Sequence, residues 1–229
     1  VTHLTPDEWA AVRLTLVVAF RAVAFGLPVA LLAAFALTRR FTLRPVLDAL
    51  VHLPLALPPV VVGWLLLLTF GIRGPIGAWL QSWFGIRLVF TSEGASLACA
   101  VMSFPLAVRA IRLSLEAIDP GIDQAARTLG AGPLDRFLTV TLPLAAPGVI
   151  VGALVAFAAS LGEFGAVIVF ASNVPGETQT LPLAIYTALQ TPGGEDVAAR
   201  LSVVSITLAV VALLAADFAG RRLRRRVGR

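Results

Sequence analysis

Few side chains in this sequence could do bond chemistry, and their census sets what the chain cannot be. His3 and His52 are the only histidines and Cys99 the only cysteine, too few for a zinc site or a disulfide. A hydrolase centre would lack a base, because His3 sits at the start of the chain and His52 enters a Pro-rich apolar run. All eighteen basic residues are Arg; without a Lys there is no P-loop, whose Lys reaches the β- and γ-phosphates. One carboxylate stands out. Glu163 lies in an apolar stretch between Gly162 and Phe164-Gly165, where an ionised group is costly unless paired or hydrated. A structural pair with Arg21 or Arg109, or contact with water, ranks ahead of ligand contact. Proton-coupled transport needs a relay of several such acids or histidines, and Glu163 is nearly alone.

The elements that hold these residues follow from composition. The 229 residues are 58% hydrophobic and 14% charged, with mean hydropathy +0.91, whereas a soluble domain is about a quarter charged. Lipid is the expected solvent and a single domain, 1–229, the expected organisation. A span needs roughly 20 apolar residues. Five stretches qualify, 14–38, 46–70, 95–115, 147–171 and 201–219, so the expected fold is an all-α membrane bundle of about five transmembrane helices. Residues 72–89, with Trp79, Trp83 and Phe84, read as an interfacial or re-entrant segment, since aromatic residues favour that depth. Cys99 reads as a small packed residue. The acidic start, Asp7-Glu8, does not resemble a cleavable signal peptide.

The arginines give direction. A pI near 11.1 could point to nucleic acid, but six Arg in the last nine residues follow an apolar segment and fit a membrane surface better. Arg39, Arg40 and Arg44 fall in one loop, Arg109, Arg112, Arg127 and Arg136 in the third, and Arg221, Arg222, Arg224, Arg225, Arg226 and Arg229 in the tail, all on one side. Arg73, Arg87 and Arg200 lie on the other, with Arg13 and Arg21 in or near the first span. The positive-inside rule then places the N-terminus outside and the C-terminus in the cytoplasm. Val51–Gly63 matches Val140–Gly152 at nine of thirteen positions; a parallel repeat and chance similarity of Leu/Pro/Val-rich entries both explain this.

The loop 116–143 is the most informative stretch. Asp119-Pro120 reads as an N-cap with Pro at the first helical position. Ile122, Ala125, Ala126 and Leu129 recur on one helical face, and Gly130 is placed to end that helix in the left-handed conformation. A second short turn is expected from Pro133, with Leu134, Phe137 and Leu138 on one side. Helices of this kind commonly lie on a membrane surface. The small Ala125 and Ala126, and Asp119, Asp123 and Asp135 offsetting the Arg, suit a knob that docks into a protein groove.

Gln124-Ala125-Ala126-Arg127-Thr128-Leu129-Gly130, followed by Leu142-Pro143, resembles the EAA loop of ABC importer permeases, with Gln124 where that family usually has Glu. His52–Gly63, Ser103–Leu106, Ser160-Leu161-Gly162-Glu163-Phe164-Gly165, Ser172–Thr178 and Gln190–Glu195 are similar to the permease subunits of molybdate importers. The Ser160–Gly165 stretch is shared with sulfate permeases. The resemblance runs from about Pro6 to the C-terminus.

What it implies is a type I importer permease in the bacterial inner membrane, acting as a homodimer and passing molybdate, or tungstate, inward. A cytoplasmic ABC ATPase, which holds the ATP and Mg, and an extracytoplasmic binding protein are the implied partners, with lipid around and no nucleic acid. This chain would carry no cofactor, no metal and no catalytic residue. A sulfate or other oxyanion permease is the alternative. Asp123, Gln124, Ala125, Ala126, Gly130, Leu142 and Pro143 would couple to the ATPase. Ser160, Gly162, Glu163, Gly165, Ser172 and Asn173 are pathway or gating candidates, with Ser160, Ser172 and Asn173 as neutral donors unless they bond to their own backbone. Arg109 and Arg112 mark a span end, or else an anion-attracting vestibule.

Overall fold

The computed structural model describes residues 4–39 and 41–227, with side chains to Arg222. Arg40, Arg229 and Val1, and the side chains of Arg224, Arg225 and Arg226, thus lie outside the described part. Within it the chain is helical: α1 Pro6–Thr38, α2 Arg44–Ala56, α3 Pro59–Phe70, α4 Pro75–Phe84, α5 Ser92–Glu116, α6 Pro120–Thr128, α7 Pro133–Arg136, α8 Leu142–Leu161, α9 Gly165–Phe170, α10 Leu181–Leu189 and α11 Glu195–Val227. Four helical stretches are long and apolar enough to cross a membrane, or five if the bent pair α2–α3 counts as one. Five stretches match the number expected.

Two of the expected spans are not continuous. The stretch 46–70 breaks between α2 and α3, which meet at 115°. Leu57 and Pro58 each precede a proline, which disfavours helical backbone, and both are extended, with ψ 145° and 135°. The echoing segment 140–152 has Pro147-Gly148 where the first has Pro58-Pro59, and it stays helical within α8. One extra proline separates the two outcomes. The stretch 147–171 also divides: α8 begins earlier, at Leu142, and stops at Leu161, so Glu163 lies in a break before α9 rather than inside a helix. The second turn expected after Pro133 is the foot of this span, joined to α8 through a π-helical turn at Phe137–Thr141. Pro143 withholds the N–H that Thr139 O would accept in an α-helix, and the turn above it widens.

The bundle packs around α5, which lies against α1 and α8. Its core is rich in small residues: Ala19, Ala22, Ala30 and Ala34 of α1, Ala98 and Ala107 of α5, Ala145 and Ala156 of α8 are all buried. The large apolar residues Phe20, Phe25, Leu32, Trp64 and Phe218 are exposed, the arrangement favoured when lipid replaces water and close backbone approach drives packing. The core has two main parts. One joins Val18 and Ala22 of α1, Val62 and Leu66 of α3, Ala98 and Cys99 of α5, and Val167 and Phe170 of α9. The other, nearer the Arg-rich end, joins Ala34 and Leu37 of α1, Val51 of α2, Val108 and Ile111 of α5, and Ala145 of α8. Thus α2 and α3, and likewise α8 and α9, contribute to different halves, while α1 and α5 run through both.

Cβ atoms at Gly148 and Gly152 would press on α5, the first falling on Ser114 Cβ and 2.9 Å from Ala110 O, the second 3.1 Å from Ala107 O. Gly148→Val is therefore expected to destabilise the bundle by about 1–3 kcal/mol through overpacking, read as a lower midpoint of thermal unfolding in detergent. Gly132→Ala, where a Cβ meets nothing within 4 Å, should leave the midpoint unchanged. An unchanged midpoint for Gly148→Val would remove close α5–α8 approach as a source of stability.

Candidate functional site

Two features stand apart from the packed bundle: a knob at the Arg-rich end and a pair of helix breaks between the two halves of the core.

The knob is α6 and its corner. Asp119 caps it as its sequence predicts, its Oδ1 accepting from Gly121 N at 2.8 Å, and Gly130 ends it at φ +84°, the left-handed region where glycine carries no Cβ penalty. None of its residues is buried. Gln124 and Ala125 are exposed, Ala126 is half-buried, and Leu129 is 87% exposed with Leu134 at 70%. This small, largely apolar face rules out a helix folded against its own bundle. Asp123 points the other way. Its two oxygens accept from Arg136 Nη1 at 2.9 and 2.8 Å, tying α6 to α7 and, through the π-turn, to α8. Phe137 stacks edge-on against Phe35 of α1 at 4.9 Å, and the Arg39 guanidinium lies 4.7 Å over the Phe35 ring. Leu142 and Pro143 are the first turn of α8 rather than part of the knob's surface.

The breaks face each other. Glu163 Oε1 accepts from Ala166 N at 2.9 Å, so the carboxylate caps the start of α9 instead of pairing with Arg21 or Arg109. Arg21 bonds Glu93 Oε1 at 3.0 Å, and Arg109 is exposed. Gly165 sits against the bend: a Cβ there would lie 2.7 Å from Pro59 Cβ. One turn along α3, Gly63 repeats the close approach, with a Cβ 2.7 Å from Ala166 O. Gly162 meets nothing within 4 Å. Ser160 is buried and donates to Ala156 O at 2.8 Å, so its hydroxyl is spent on its own helix, while its carbonyl accepts the Cys99 thiol at 3.7 Å.

Ser172 takes φ +70° as α9 turns into the loop before α10. Asn173 Nδ2 donates to Thr187 Oγ1 at 2.8 Å and its Oδ1 accepts from Gln179 Nε2 at 3.0 Å. Asn173 is thus one member of an uncharged trio whose other two, Gln179 and Thr187, carry no sequence signal of their own. Sequence reading also missed the pair of Glu8 with Arg200 Nη2, 2.8 Å, which ties the start of α1 to that of α11, and the partners of Asp48 and Arg112. Contacts across 192 and 64 residues leave no periodicity to find.

Comparison with known proteins places these features in context. The family model for the binding-protein-dependent transport system inner membrane component matches residues 26–229. The chain is 57% identical over 227 residues, 99% of each chain, to the molybdenum transport system permease protein ModB of Escherichia coli K12. It is 40% identical over 225 residues, 98% of this chain and 79% of the other, to the sulfate transport system permease protein CysT of the same organism. Among solved structures, a bacterial alginate ABC transporter crystallised with its pentasaccharide-bound periplasmic protein aligns with TM-score 0.72 at 19% identity, covering 97% of this chain and 80% of that one.

The Asp123–Arg136 pair is what holds α6 to the span below it. Asp123→Asn should speed amide hydrogen exchange across 120–131 at least tenfold while leaving α5 and the upper part of α8 unchanged. Equal protection in the variant would mean that the corner at Gly130 holds the knob unaided.

Proposed function

The chain belongs to the family of binding-protein-dependent transport system inner membrane components, and from that premise we propose that it carries molybdate, or the isostructural tungstate, from an external binding protein into the cytoplasm. It is a multi-pass transport subunit. The full-length likeness to a molybdenum permease, at 57% against 40% for the sulfate permease, supports the substrate. α6 is the observation that carries the mechanism: a capped helix held off the bundle, presenting Ile122, Ala125 and Leu129 to a partner.

That partner is an ATPase subunit, whose P-loop would supply the Lys that residues 1–229 lack. Gln124, Ala125, Ala126 and Gly130 form the docking face and corner, and Asp123 orients it from behind. Leu142 and Pro143 join the knob to α8. Arg39, Arg44, Arg112, Arg127, Arg136 and Arg221 share the end from which α6 projects, which supports a cytoplasmic placement of that end and an external N-terminus.

Two copies of the chain would line one path, each with an ATPase on its knob. ATP and Mg belong to the ATPase; this subunit makes and breaks no bond. Closing the ATPase pair would draw the two knobs together and rock the bundles as rigid units, exchanging access between the two sides. Within each bundle the path is gated where the Leu57–Pro58 bend meets the Gly162–Phe164 break. Glu163 serves there as a cap and repels rather than binds an oxyanion. Asn173, with Gln179 and Thr187, offers neutral donors, a weak set that lets an anion pass. Selection would then rest with the binding protein.

In liposomes holding the chain, its ATPase and its binding protein, ATP-driven uptake of labelled molybdate is expected, suppressed by excess tungstate and indifferent to sulfate. Equal competition by sulfate would move the substrate to sulfate, and uptake driven by a proton gradient without ATP would overturn the ATPase-driven mechanism. Leu129→Arg, which puts a charge on the exposed apolar face without touching the bundle, should cut ATPase co-purification and uptake at least tenfold. A fully coupled Leu129→Arg transporter would show that α6 is not the docking element.

A further inference from the structure

α2 is held in an unusual way. It is 13 residues long, and Val51 is its only buried residue, so apolar packing alone gives it little hold on the bundle. Charge supplies the rest. Arg112 of α5 donates from Nη1 to Asp48 Oδ1 of α2 at 2.8 Å and from Nε to Glu116 Oε1 at 2.8 Å. Glu116 in turn faces Arg44 Nη2 of α2 at 4.0 Å. His52 Nδ1 lies 2.8 Å from the Asp48 carbonyl and 3.7 Å from its carboxylate. The cluster alternates in sign and bridges the two helices at two points, Asp48 to Arg112 and Arg44 to Glu116.

Its position gives it a use. Glu116 is the last residue of α5, and Asp119, the cap of α6, follows three residues later. The bridge therefore grips α5 where the knob leaves it. At its other end α2 runs into the extended Leu57-Pro58, and the next residue, Pro59, presses on Gly165 beside the Glu163 cap. A path of contacts leads from the knob through the ion pairs and one short helix to the break. By contrast α3 is anchored in the other half of the core through Val62 and Leu66, so movement of α2 relative to α3 is taken up at the bend.

We infer that Asp48, Arg112 and Glu116, with Arg44, form a strut that makes α2 move with the ATPase-docking knob, so that the Leu57–Pro58 bend delivers this motion to the Gly162–Phe164 break. Asp48 and Arg112 are positioning residues that touch no substrate. The strut rests on the proposed transport cycle, and its role is distinct from docking. It predicts variants that still bind the ATPase and hydrolyse ATP but no longer move cargo. Ion pairs suit such a joint because both partners are part-exposed, with Arg112 at 25% and Asp48 at 44%; a pair of this kind can hold a helix without fusing it to the core.

The test uses the complete transporter in liposomes and the ratio of molybdate taken up to ATP hydrolysed. If the wild-type assembly shows no ATP-driven uptake, the transport reading fails and not the strut. With active wild type, Asp48→Asn and Arg112→Gln should each lower the ratio about tenfold while ATP hydrolysis stays within about threefold. Asp48→Glu, which keeps a carboxylate facing Arg112, should hold the ratio within about threefold of wild type. Asp217→Asn, which removes the exposed pair with Arg221 on α11, should leave it unchanged. Asp48→Asn and Arg112→Gln variants that keep the wild-type ratio, or a loss in Asp48→Glu as large as that in Asp48→Asn, would overturn the strut. A second reading needs no variant: trapping the ATPase closed should change amide exchange in 44–56 together with 120–131. A response in the knob with none in α2 would also overturn it.

Discussion

Inside hydrocarbon every backbone N–H and C=O must find a partner within the protein, and this single constraint explains how the chain can contain two broken spans. A break exposes the orphan donors of a new helix start, so each break here is built to have few of them. At the α2–α3 bend, Pro58 and Pro59 have no N–H to satisfy, and the Pro58 carbonyl accepts from both Val61 N and Val62 N. At the α8–α9 break, Glu163 accepts from Ala166 N. The carboxylate that looked most like a chemical group is instead the capping acceptor this site requires, with its charge aligned to the positive end of α9.

The same solvent decides what the core is made of. With lipid outside, burying Leu or Phe gains little, whereas bringing backbones close gains dispersion and interhelical contact. The buried faces of α1, α5 and α8 are accordingly rich in Ala and Gly, while Phe20, Phe25, Trp64 and Phe218 look outward. Such packing is stiff, because Ala and Gly leave no rotamers to rearrange. Stiff pieces joined at defined breaks behave as levers. α1 and α5 tie the two halves of the core together, and the bent pairs straddle the line between them, with Val51, the half-buried Leu47 and the ion pairs fixing α2 to its half.

What could be read from the sequence was whatever a local rule governs. The cap at Asp119, the helix through Thr128 and the left-handed Gly130 all follow from neighbours a few positions apart, and the stretches picked out by hydropathy overlap the long apolar helices. It did not locate the bend, because an apolar average is blind to direction; the signal was the doubled proline, visible only by comparing Pro58-Pro59 with Pro147-Gly148 in the echoing segment. It also did not end the fourth span at Leu161, since Val167 to Phe170 continues the apolar run past the break. Of the roles open to Glu163 in the sequence, pairing with Arg21 or Arg109 fails for a related reason. A charge in an apolar stretch invites a search for an opposite charge, and a backbone donor three residues away is closer than any Arg. Asp48 and Arg112, 64 residues apart, meet only because α2 folds back along α5.

The arrangement of charge along the molecule then acquires a physical order. Between the two halves of the core, where a lone ion is expensive, the half-buried Glu163 is absorbed by a helix start. Ion pairs that join separate elements sit at the two ends instead, Glu8 with Arg200 and Arg21 with Glu93 toward one, Asp48 with Arg112 and Asp123 with Arg136 toward the other. Pairs at a wet end are weak singly and hold position better than they hold stability. That is the property wanted where elements must keep register while the assembly changes shape. At the Arg-rich end two such pairs lie on parallel branches: one seats α6 on the foot of α8, the other seats α2 on the end of α5, and the knob hangs between α5 and α8. A push on α6 would therefore reach both broken spans at once, and their breaks are in contact where Pro59 meets Gly165.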